Sequence, residues 1–388
     1  MKLLINASVF APEPIGRQHV LVGGGQILWM GPERPTLPPA LNVEETDLGG
    51  RRLVPGFIDG HAHLTGGGGE SGFASRVPPV ALSHFTRAGV TSVVGVLGTD
   101  DTTRNTQSLL ACARGLREEG LSAYCHTGGY HIPPVTLTGS VRGDIVNLGP
   151  VIGIGEVAIS DHRSSQPTLE EILRLASEAH VAGLMTGKAG ILHLHLGDGE
   201  RGLELVREAL ERSEIPARVF NPTHINRRKT LFAESCALAK RGCFVDLTAF
   251  DVEDGEDAWS AADGLRRYLN GGFPADRITV SSDGGGCLPH FDDDGVIVRS
   301  DVGQPAAIAA TLRELLADDM ALERALPAFT SNAATLLRLH RKGRIASGMD
   351  ADLVVLDEDH RVRDVMALGR WHVRAGVAVR RGQFEPQD

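Results

Sequence analysis

Short apolar stretches alternate with amphipathic ones through the middle of the chain. The apolar stretches predict eight strands: GFIDGHAH, VTSVVGVLG, LSAYCHTG, VIGIGEVAIS, GILHLHLG, ARVFNPTHIN, CFVDLTAF and ITVSSDGGG. Between most of them, apolar residues recur with helical spacing, as in TQSLLACARGLREEG and LEEILRLASEAHVAG. The connection after LSAYCHTG fits worst and is predicted as a Gly/Pro/Thr-rich loop before VRGDIVNLG. Eight strands alternating with helices over roughly 280 residues predict a TIM-like (β/α)₈ barrel, with a doubly wound sheet as the alternative.

The two chain ends share a different pattern, in which short runs alternate apolar and polar residues around Gly-rich turns. KLLINASVF and HVLVGGGQILWMG are examples near the start, and RIASGMDADLVVLDEDHRVRDVMALGRWHVRAGVAV is similar near the end. We therefore predict one small β-sandwich domain built from residues 1–53 and 342–388. The barrel domain is predicted to span residues 54–341.

Composition narrows the class of protein. The formal net charge of -10 argues against a nucleic-acid partner. The 5 cysteines form no CxxC pair, which favours a reducing compartment over a disulfide framework. The N-terminus lacks the pattern of a signal peptide, and no apolar stretch reaches membrane-spanning length. We expect a cytoplasmic enzyme with no membrane partner.

Histidines concentrate where the predicted strands end, which is where barrel enzymes place their active sites. The first barrel strand ends in HAH, and the alternation of a strand puts His61 and His63 on the same face. Neutral imidazole is the commonest nitrogen ligand for zinc. Strand five supplies HLHLGD, strand six PTHIN and strand eight SSDGGG, which add His195, His224 and Asp283. His193 shares a face with His195 but lies deeper, and is expected in an interior layer.

These motifs resemble the amidohydrolase superfamily, and within it the isoaspartyl (β-aspartyl) dipeptidases. PGFIDGHAH, the histidines of strands five and six, and SSDG are the superfamily signatures. GGGGE after HAHLT, GVTSVVGVLGTD, the TGGYH loop with TLTGS, AISDHRS, PTHINR and SSDGGG are specific to the dipeptidases. The resemblance covers nearly the whole chain. It implies that the protein hydrolyses a small dipeptide. It also implies a homo-oligomeric assembly, for which an octamer is one expected size.

The resemblance also implies a site with two zinc ions, bridged by a hydroxide that attacks the substrate. His61 and His63 with Asp283 would hold one metal, and His195 with His224 the other. Asp283 would in addition act as general base and acid, taking the proton of the hydroxide and passing it to the leaving amine.

For the substrate, the resemblance implies groups that match one ammonium and two carboxylates. Glu70, at the end of GGGGE, would pair with the ammonium. Arg163 and Arg227 would clamp the carboxylates, because a guanidinium matches a carboxylate bidentately. Tyr130 would donate its phenol to the developing oxyanion, and Thr99 is expected to line the substrate site.

Each of these substrate residues also has an ordinary structural explanation. Glu70 would be a solvated loop charge, Arg163 a partner of Asp161, Arg227 a surface residue beside Arg228, and Tyr130 loop packing. His126, His131 and His162 are interpreted as packing or outer residues of the site.

Glu156 stands where the family has a lysine that becomes carbamylated and bridges the metals. Both groups offer two oxygens and one negative charge, but the glutamate is about three bonds shorter. GIGE places Gly153 and Gly155 before it, and the stretch is one residue longer than the family pattern, as a β-bulge requires. We therefore expect Glu156 to bridge the two zinc ions, held inward by a bulge at Gly153–Gly155, with no carbamylated lysine. The alternative is a buried carboxylate beside a single metal.

A second departure from the family is Cys287, which replaces the serine expected after SSDGGG. That serine helps to hold a substrate carboxylate in the family. A thiol is a weaker hydrogen-bonding group than a hydroxyl, so affinity or substrate choice is expected to shift.

Two other functions remain as alternatives. The same metal chemistry would suit a hydrolase of a cyclic amide or of an N-acyl amino acid. Glu70, Arg163 and Arg227 discriminate, because a ring substrate would not need all three charges. A non-catalytic, metal-free scaffold is the third hypothesis, and retention of the histidines and Asp283 argues against it.

Overall fold

The computed structural model describes residues 1–291 and 296–386, and the side chains of residues 289–291 are outside this description. The described strands are, in chain order, β1 (Lys2–Phe10), β2 (Pro14–Gly23), β3 (Gln26–Gly31), β4 (Glu44–Asp47), β5 (Arg52–Pro55), β6 (Phe57–Ala62), β7 (Val90–Gly95), β8 (Ser122–Thr127), β9 (Val151–Ile159), β10 (Leu192–Leu196), β11 (Phe220–Thr223), β12 (Val245–Thr248), β13 (Ile278–Ser281), β14 (Cys287–Phe291), β15 (Ile297–Val302), β16 (Leu353–Leu356), β17 (Val362–Ala367), β18 (Arg370–Arg374) and β19 (Val377–Ala378). The α-helices are α1 (Leu82–Arg87), α2 (Thr106–Glu119), α3 (Val141–Asn147), α4 (Leu169–Thr186), α5 (Glu204–Arg212), α6 (Lys229–Lys240), α7 (Ala261–Asn270), α8 (Ala306–Ala317), α9 (Leu322–Ala325) and α10 (Ser331–Leu336).

The strands of the middle region are parallel and curl into a barrel. β6 to β11 form one sheet in chain order, and β12 pairs with β13. The segment after β13 closes on β6, because Asp283 N donates to His61 O at 3.1 Å and His63 N donates to Gly284 O at 2.8 Å. Between β11 and β12, Thr223 Oγ1 donates to Asp246 Oδ2 at 2.7 Å. The predicted (β/α)₈ barrel is confirmed, and the carboxyl ends of its strands meet at one mouth.

The helices cover the outside of the barrel with an apolar stripe. In α4, Thr168 and Glu171 form a capping box at the start, and Ile172, Ala176 and Ala179 recur on the buried face. β9 and β10 are buried along their whole length because the helices cover one side and barrel side chains fill the other. Burial of an isoleucine or leucine side chain contributes about 1.5–3 kcal/mol, so this layer holds the strand ends in fixed relative positions.

Both chain ends contribute to a separate nine-stranded sheet, in the order β19–β18–β17–β16–β5–β1–β2–β3, with β4 paired to β1. The link between the two ends is the antiparallel pairing of β5 with β16. A core beneath this sheet includes Leu4, Val20, Leu53, Leu353 and Met366. The β domain predicted from both ends is therefore confirmed. Its bounds stay a prediction, and β5 runs across the predicted boundary at residue 53.

Two elements were not anticipated. α3 lies in VRGDIVNLG, the stretch after the predicted loop, for which no helix was predicted, and Ser140 caps its first turn by accepting a hydrogen bond from Gly143 N. The antiparallel hairpin β14–β15 follows the last barrel strand directly. Among the described residues, no helix combines the length and apolar character needed to cross a membrane.

Candidate active site

Six side chains that were predicted as metal ligands converge at the barrel mouth, and all are buried. This ligand cluster consists of His61, His63, Glu156, His195, His224 and Asp283. Glu156 lies at the centre. Its Oε1 is 3.3 Å from His63 Nε2, while its Oε2 is 3.1 Å from His195 Nδ1 and 3.4 Å from His224 Nε2. The two oxygens of one carboxylate thus face different histidines, which is the arrangement that a bridging ligand needs.

A β-bulge in β9 brings Glu156 to this position. Ile154 and Val157 pair with Leu192 and Leu194, so two residues of β9, Gly155 and Glu156, oppose the single residue His193. Gly155 has a φ of 144°, and a Cβ there would lie 2.5 Å from His193 O. Only glycine therefore fits at this point. The predicted bulge is present and is centred on Gly155 and Glu156.

Two of the predicted ligands lie at left-handed backbone positions just beyond their strands. His224 follows β11 with a φ of 59°, and Asp283 follows β13 with a φ of 52°. Such conformations cost a non-glycine residue about 1 kcal/mol or more and are typical of functional sites. Gly286 packs closely against the Asp283 carboxylate, because a Cβ on that glycine would lie 2.2 Å from Asp283 Oδ1.

The pKa values in the cluster are shifted by burial and by the close contacts between carboxylates and imidazoles. Burial opposes charge on His63, but contacts with Asp283 and Glu156 outweigh it and raise the pKa of His63 to about 10. Burial would raise the pKa of Glu156, yet His61 and His195 hold that pKa well below its ordinary value. Burial lowers the pKa of His224 to about 3. The carboxylates are therefore ionised, and some of the imidazoles retain protons that a metal cation would replace.

The donor atoms are placed so that they could hold metal ions. Three groups have ligand atoms that all lie within 4.8 Å of one another: His61, His63 and Glu156; His61, His224 and Asp283; and Glu156, His195 and His224. Within the described residues, His61 Nε2 and Asp283 Oδ1 are buried and make no hydrogen bond. Buried polar atoms without a partner are costly, and a cation between them would satisfy both. Nitrogen and carboxylate donors in such a set suit zinc among other divalent metals.

A chain of hydrogen bonds from the barrel interior orients His61. Asn221 Nδ2 donates to Phe244 O at 3.1 Å, which directs its Oδ1 at His193 Nδ1, 2.7 Å away. His193 Nδ1 therefore carries the hydrogen, and His193 Nε2 accepts from His61 Nδ1 at 2.8 Å. His61 Nε2, which faces Asp283 at 3.4 Å, is consequently the nitrogen that a cation would occupy. His193 lies in the interior layer, as the sequence indicated, and has this orienting contact as well.

The residues predicted to bind the substrate ammonium and one carboxylate lie together. Glu70 Oε1 accepts from Thr99 Oγ1 at 2.9 Å and from Arg163 Nη1 at 3.0 Å. Glu70 Oε2 is buried and has no hydrogen-bond partner among the described residues. An anion and a cation held side by side match the ammonium and carboxylate that an amino acid carries on one carbon.

The remaining predicted residues line the same cavity, which has a volume of about 650 Å³. Tyr130 Oη lies 2.8 Å from His195 Nδ1, and burial raises the pKa of the phenol well above its ordinary value, so it stays a donor. Arg227 Nη1 donates to Leu196 O at 2.7 Å, and Arg227 Nε lies 3.2 Å from Asp198 Oδ1. Cys287 is half-buried in the cavity wall, and burial raises the pKa of its thiol.

The three histidines interpreted as packing or outer residues lie outside the ligand cluster. His126 is buried, and burial lowers its pKa well below the ordinary value, which keeps it neutral. His131 Nδ1 lies 2.9 Å from Asp101 Oδ1, and His162 is exposed. Sequence reasoning considered Asp161 only as a partner of Arg163, whereas in the structure it contacts both His195 and Arg163. The only sequence signal for it was an acid placed two residues before the arginine.

The fold and this cluster define the class of protein. A family model described as the amidohydrolase family matches residues 52–372, and the chain belongs to that family. Within it, the chain is similar to the β-aspartyl dipeptidase of Fervidobacterium islandicum AW-1. The crystal structure of that enzyme with the β-Asp-Leu dipeptide is 43% identical, covers 97% of this chain and 98% of that chain, and gives a TM-score of 0.90.

A second crystal structure of the F. islandicum β-aspartyl dipeptidase gives 40% identity, the same coverage and a TM-score of 0.88. The resemblance inferred from the motifs is thereby confirmed. More distant relatives include the imidazolonepropionase of Paracoccus denitrificans (strain Pd 1222), which is 24% identical over 375 residues, or 88% of each chain.

Proposed function

We propose that this chain hydrolyses β-aspartyl dipeptides at a centre of two zinc ions bridged by Glu156. The observation that carries the proposal is the pair of Glu70 and Arg163, whose charged atoms lie 3.0 Å apart in the cavity of the ligand cluster. A β-aspartyl dipeptide presents a free ammonium and a free carboxylate on the same carbon, and an α-linked dipeptide does not. The similarity to β-aspartyl dipeptidase structures at 40–43% identity supports the same substrate class.

Glu70 and Arg163 would bind the two charges of the aspartyl unit. The free Oε2 of Glu70 is available to the ammonium, and the guanidinium offers donors to the carboxylate. Arg227, whose Nη1 lies 3.5 Å from His195 Nε2, would bind the second carboxylate. These contacts would place the isopeptide carbonyl at the ligand cluster.

The metals supply the chemistry that side chains lack, since two bound cations lower the pKa of a shared water and polarise a carbonyl. The chain supplies proton transfer and orientation. Asp283 would accept the proton of the attacking water and deliver it to the leaving amine, because it lies among the ligands with Oδ1 3.1 Å from His63 Nε2. Tyr130, kept protonated by burial, would donate to the oxygen on which negative charge develops.

Glu156 would take the role that a carbamylated lysine has in the family. Its two oxygens face His63 on one side and His195 and His224 on the other. The bulge at Gly155 offsets the shorter side chain by bringing the backbone closer. A consequence is that assembly of the site needs no bicarbonate.

Hydrolysis of a different amide is the second candidate, because curated relatives at 24–27% identity include imidazolonepropionases. The charged pair of Glu70 and Arg163 favours the dipeptide. The Arg227→Met variant separates the candidates, since it should abolish dipeptide turnover and spare a neutral cyclic amide. A homo-oligomeric state and a cytoplasmic location are further proposals that rest on the resemblance and on composition.

A substrate panel tests the proposed function. Zinc-loaded protein is assayed against β-Asp-Leu and α-Asp-Leu, with metal content measured on the same sample. We expect turnover of the β-linked dipeptide alone. Equal turnover of the α-linked dipeptide, or turnover of neither in protein that holds zinc, would contradict the proposal.

A further inference from the structure

Asp161 lies between the ligand cluster and the substrate-binding pair, just after β9, and is 5% exposed. Its Oδ2 is 3.0 Å from His195 Nε2 and 2.8 Å from Arg163 Nη2. Its Oδ1 accepts from the backbone N of Arg163 at 2.7 Å and from Arg163 Nε at 3.0 Å. One carboxylate therefore contacts both a candidate metal ligand and a candidate substrate residue.

The backbone around Asp161 holds this carboxylate in a defined place. A Cβ on Gly197 would lie 2.4 Å from Asp161 Cβ, so the end of β10 packs closely against it. Ser160 Oγ donates to Gly199 O at 2.7 Å, and Gln166 Nε2 donates to Asp161 O at 2.8 Å. The segment that carries Asp161 is thus fixed to its neighbours on both sides.

The contact with Asp161 determines which nitrogen of His195 carries a hydrogen. An ionised carboxylate can only accept hydrogen bonds, so Nε2 must be the donor. Arg227 Nη1 lies 3.5 Å from the same nitrogen but donates to Leu196 O at 2.7 Å, and therefore needs no acceptor from the ring. The other ring nitrogen, Nδ1, lies 3.1 Å from Glu156 Oε2 and 2.8 Å from Tyr130 Oη. A cation bound beside Glu156 would displace any hydrogen on Nδ1, whereas the hydrogen on Nε2 stays with Asp161. A cation held there would need the lone pair on Nδ1.

We propose that Asp161 is a positioning residue shared by the metal and substrate parts of the site. It holds His195 in the tautomer whose Nδ1 lone pair faces Glu156, and it directs the guanidinium of Arg163 toward Glu70. The inference rests on one part of the proposed function, namely that Glu156, His195 and His224 bind a metal. Carboxylates that hold a ligating histidine in this way are worth about 10–100-fold in metal affinity.

The Asp161→Asn variant separates the two contacts. If its amide oxygen replaces Oδ1, the contacts with Arg163 N and Arg163 Nε persist, and only the contact with Arg163 Nη2 is lost. The amide NH₂ then faces His195 Nε2 and donates to it, which forces the hydrogen onto Nδ1. The opposite orientation would set the NH₂ against two N–H donors, Arg163 N and Arg163 Nε, instead of Nη2 alone, and is disfavoured. Asp161→Asn should therefore impair the metal contact more than the substrate contact, whereas Asp161→Ala removes both.

The experiment measures zinc content and zinc affinity of the full chain without substrate, and then the KM for β-Asp-Leu in excess zinc. We expect Asp161→Asn to bind one of its two zinc ions about 10–100-fold more weakly, with a smaller rise in KM than Asp161→Ala shows. Arg163→Met should raise KM and leave zinc content unchanged. Asp364→Asn is the matched control for loss of a buried carboxylate, because Asp364 is 2% exposed in the β domain and accepts from Ala375 N at 2.8 Å.

The outcomes separate this inference from the proposed function. Parent protein that holds two zinc ions and cleaves β-Asp-Leu, together with an Asp161→Asn variant that binds zinc equally well, would overturn the inference alone. Parent protein that binds zinc but does not cleave β-Asp-Leu would overturn the proposed function, while a loss of zinc in Asp161→Asn would still support the positioning role. Parent protein that takes up no zinc would contradict both.

Discussion

The two sides of the ligand cluster are held in different ways. His61 is oriented from the barrel interior through His193 and Asn221, with contacts of 2.8 and 2.7 Å. His195 is oriented from the substrate side by Asp161, at 3.0 Å. Support from the interior depends on the packed strands alone, whereas support from Asp161 is shared with Arg163. Disturbing the first side should therefore change metal binding alone, and disturbing the second should change metal and substrate binding together.

The two sides also differ in the charge that their histidines carry. The carboxylates around His63 raise its pKa to about 10, while burial lowers the pKa of His224 to about 3. On the first side the carboxylates therefore stabilise a positively charged His63, whereas on the second side His224 stays neutral. Glu156 contacts both sides and is the residue on which the comparison depends.

The largest effect is expected for Glu156→Gln, which keeps the size of the side chain but removes the shared negative charge. Activity should fall at least about 1,000-fold, because bound metals supply several kcal/mol of transition-state stabilisation. Zinc content should fall on both sides of the cluster. Steady-state kinetics and elemental analysis measure this, with the exposed Glu214→Gln as the matched control. Retention of two zinc ions by Glu156→Gln would contradict the bridging role.

Glu70→Gln should disturb substrate binding without disturbing either side of the cluster. Loss of a charge-assisted hydrogen bond, worth about 1.5–3 kcal/mol, predicts a rise of about 10–150-fold in the KM for β-Asp-Leu. Zinc content should be unchanged. Glu253→Gln is the control, because Glu253 lines the mouth of the cavity but is exposed and paired with Arg299 at 2.9 Å. An unchanged KM in Glu70→Gln would remove Glu70 from ammonium recognition.

Asn221→Leu should disturb the first side alone. Without the amide oxygen, His193 has no group that fixes its hydrogen on Nδ1, and the orientation of His61 is lost. We expect zinc affinity to fall about 10–100-fold, with the KM measured in excess zinc unchanged. Asn332→Leu is the control for removal of a buried amide, since Asn332 donates to Ile278 O at 2.8 Å and should affect stability only. A changed KM in Asn221→Leu would contradict the separation of the two sides.

The pH dependence of stability should reveal the charge on His63 in protein from which metal has been removed. Its folded pKa of about 10 exceeds the ordinary value of 6.5. Charged His63 therefore stabilises the fold fully below pH 6.5, and this stabilisation is lost as the pH rises toward 10. The melting temperature of chelator-treated protein should fall over this range, and His63→Ala should reduce that fall. Identical alkaline profiles for the two proteins would contradict the assignment.

The smallest effect is expected for Cys287→Ser, which restores the residue that the family has at this position. A hydroxyl hydrogen-bonds more strongly than a thiol, so the KM for β-Asp-Leu should fall about 2–10-fold. Cys112→Ser, outside the cavity lining, is the control. A rise in KM for Cys287→Ser would show that the thiol is itself suited to the substrate.

The sequence predicted the barrel and the residues that converge at its mouth because both follow from local regularities. Strand alternation puts His61 and His63 on one face, and the barrel rule brings the carboxyl ends of separate strands together. The two glycines before Glu156 indicated the bulge, because glycine permits the backbone that a bulge needs.

The features that escaped prediction depend on contacts that no local pattern encodes. α3 is a single short helix after a Gly/Pro/Thr-rich loop, and its cap at Ser140 is as common in turns. The hairpin β14–β15 follows the last barrel strand without a helix between them. The role of Asp161 depends on the distance to His195, 34 residues away in sequence. The tautomers of the histidines follow from such contacts and have no signature in the sequence.

Reconstitution of metal-free protein with zinc under bicarbonate-free conditions tests the central claim most directly. Zinc content and β-Asp-Leu hydrolysis are measured on the same sample. If Glu156 bridges the metals in place of a carbamylated lysine, the protein should take up two zinc ions per chain and regain full activity without bicarbonate. One zinc ion per chain at saturation, or activity that appears only when bicarbonate is added, would contradict it.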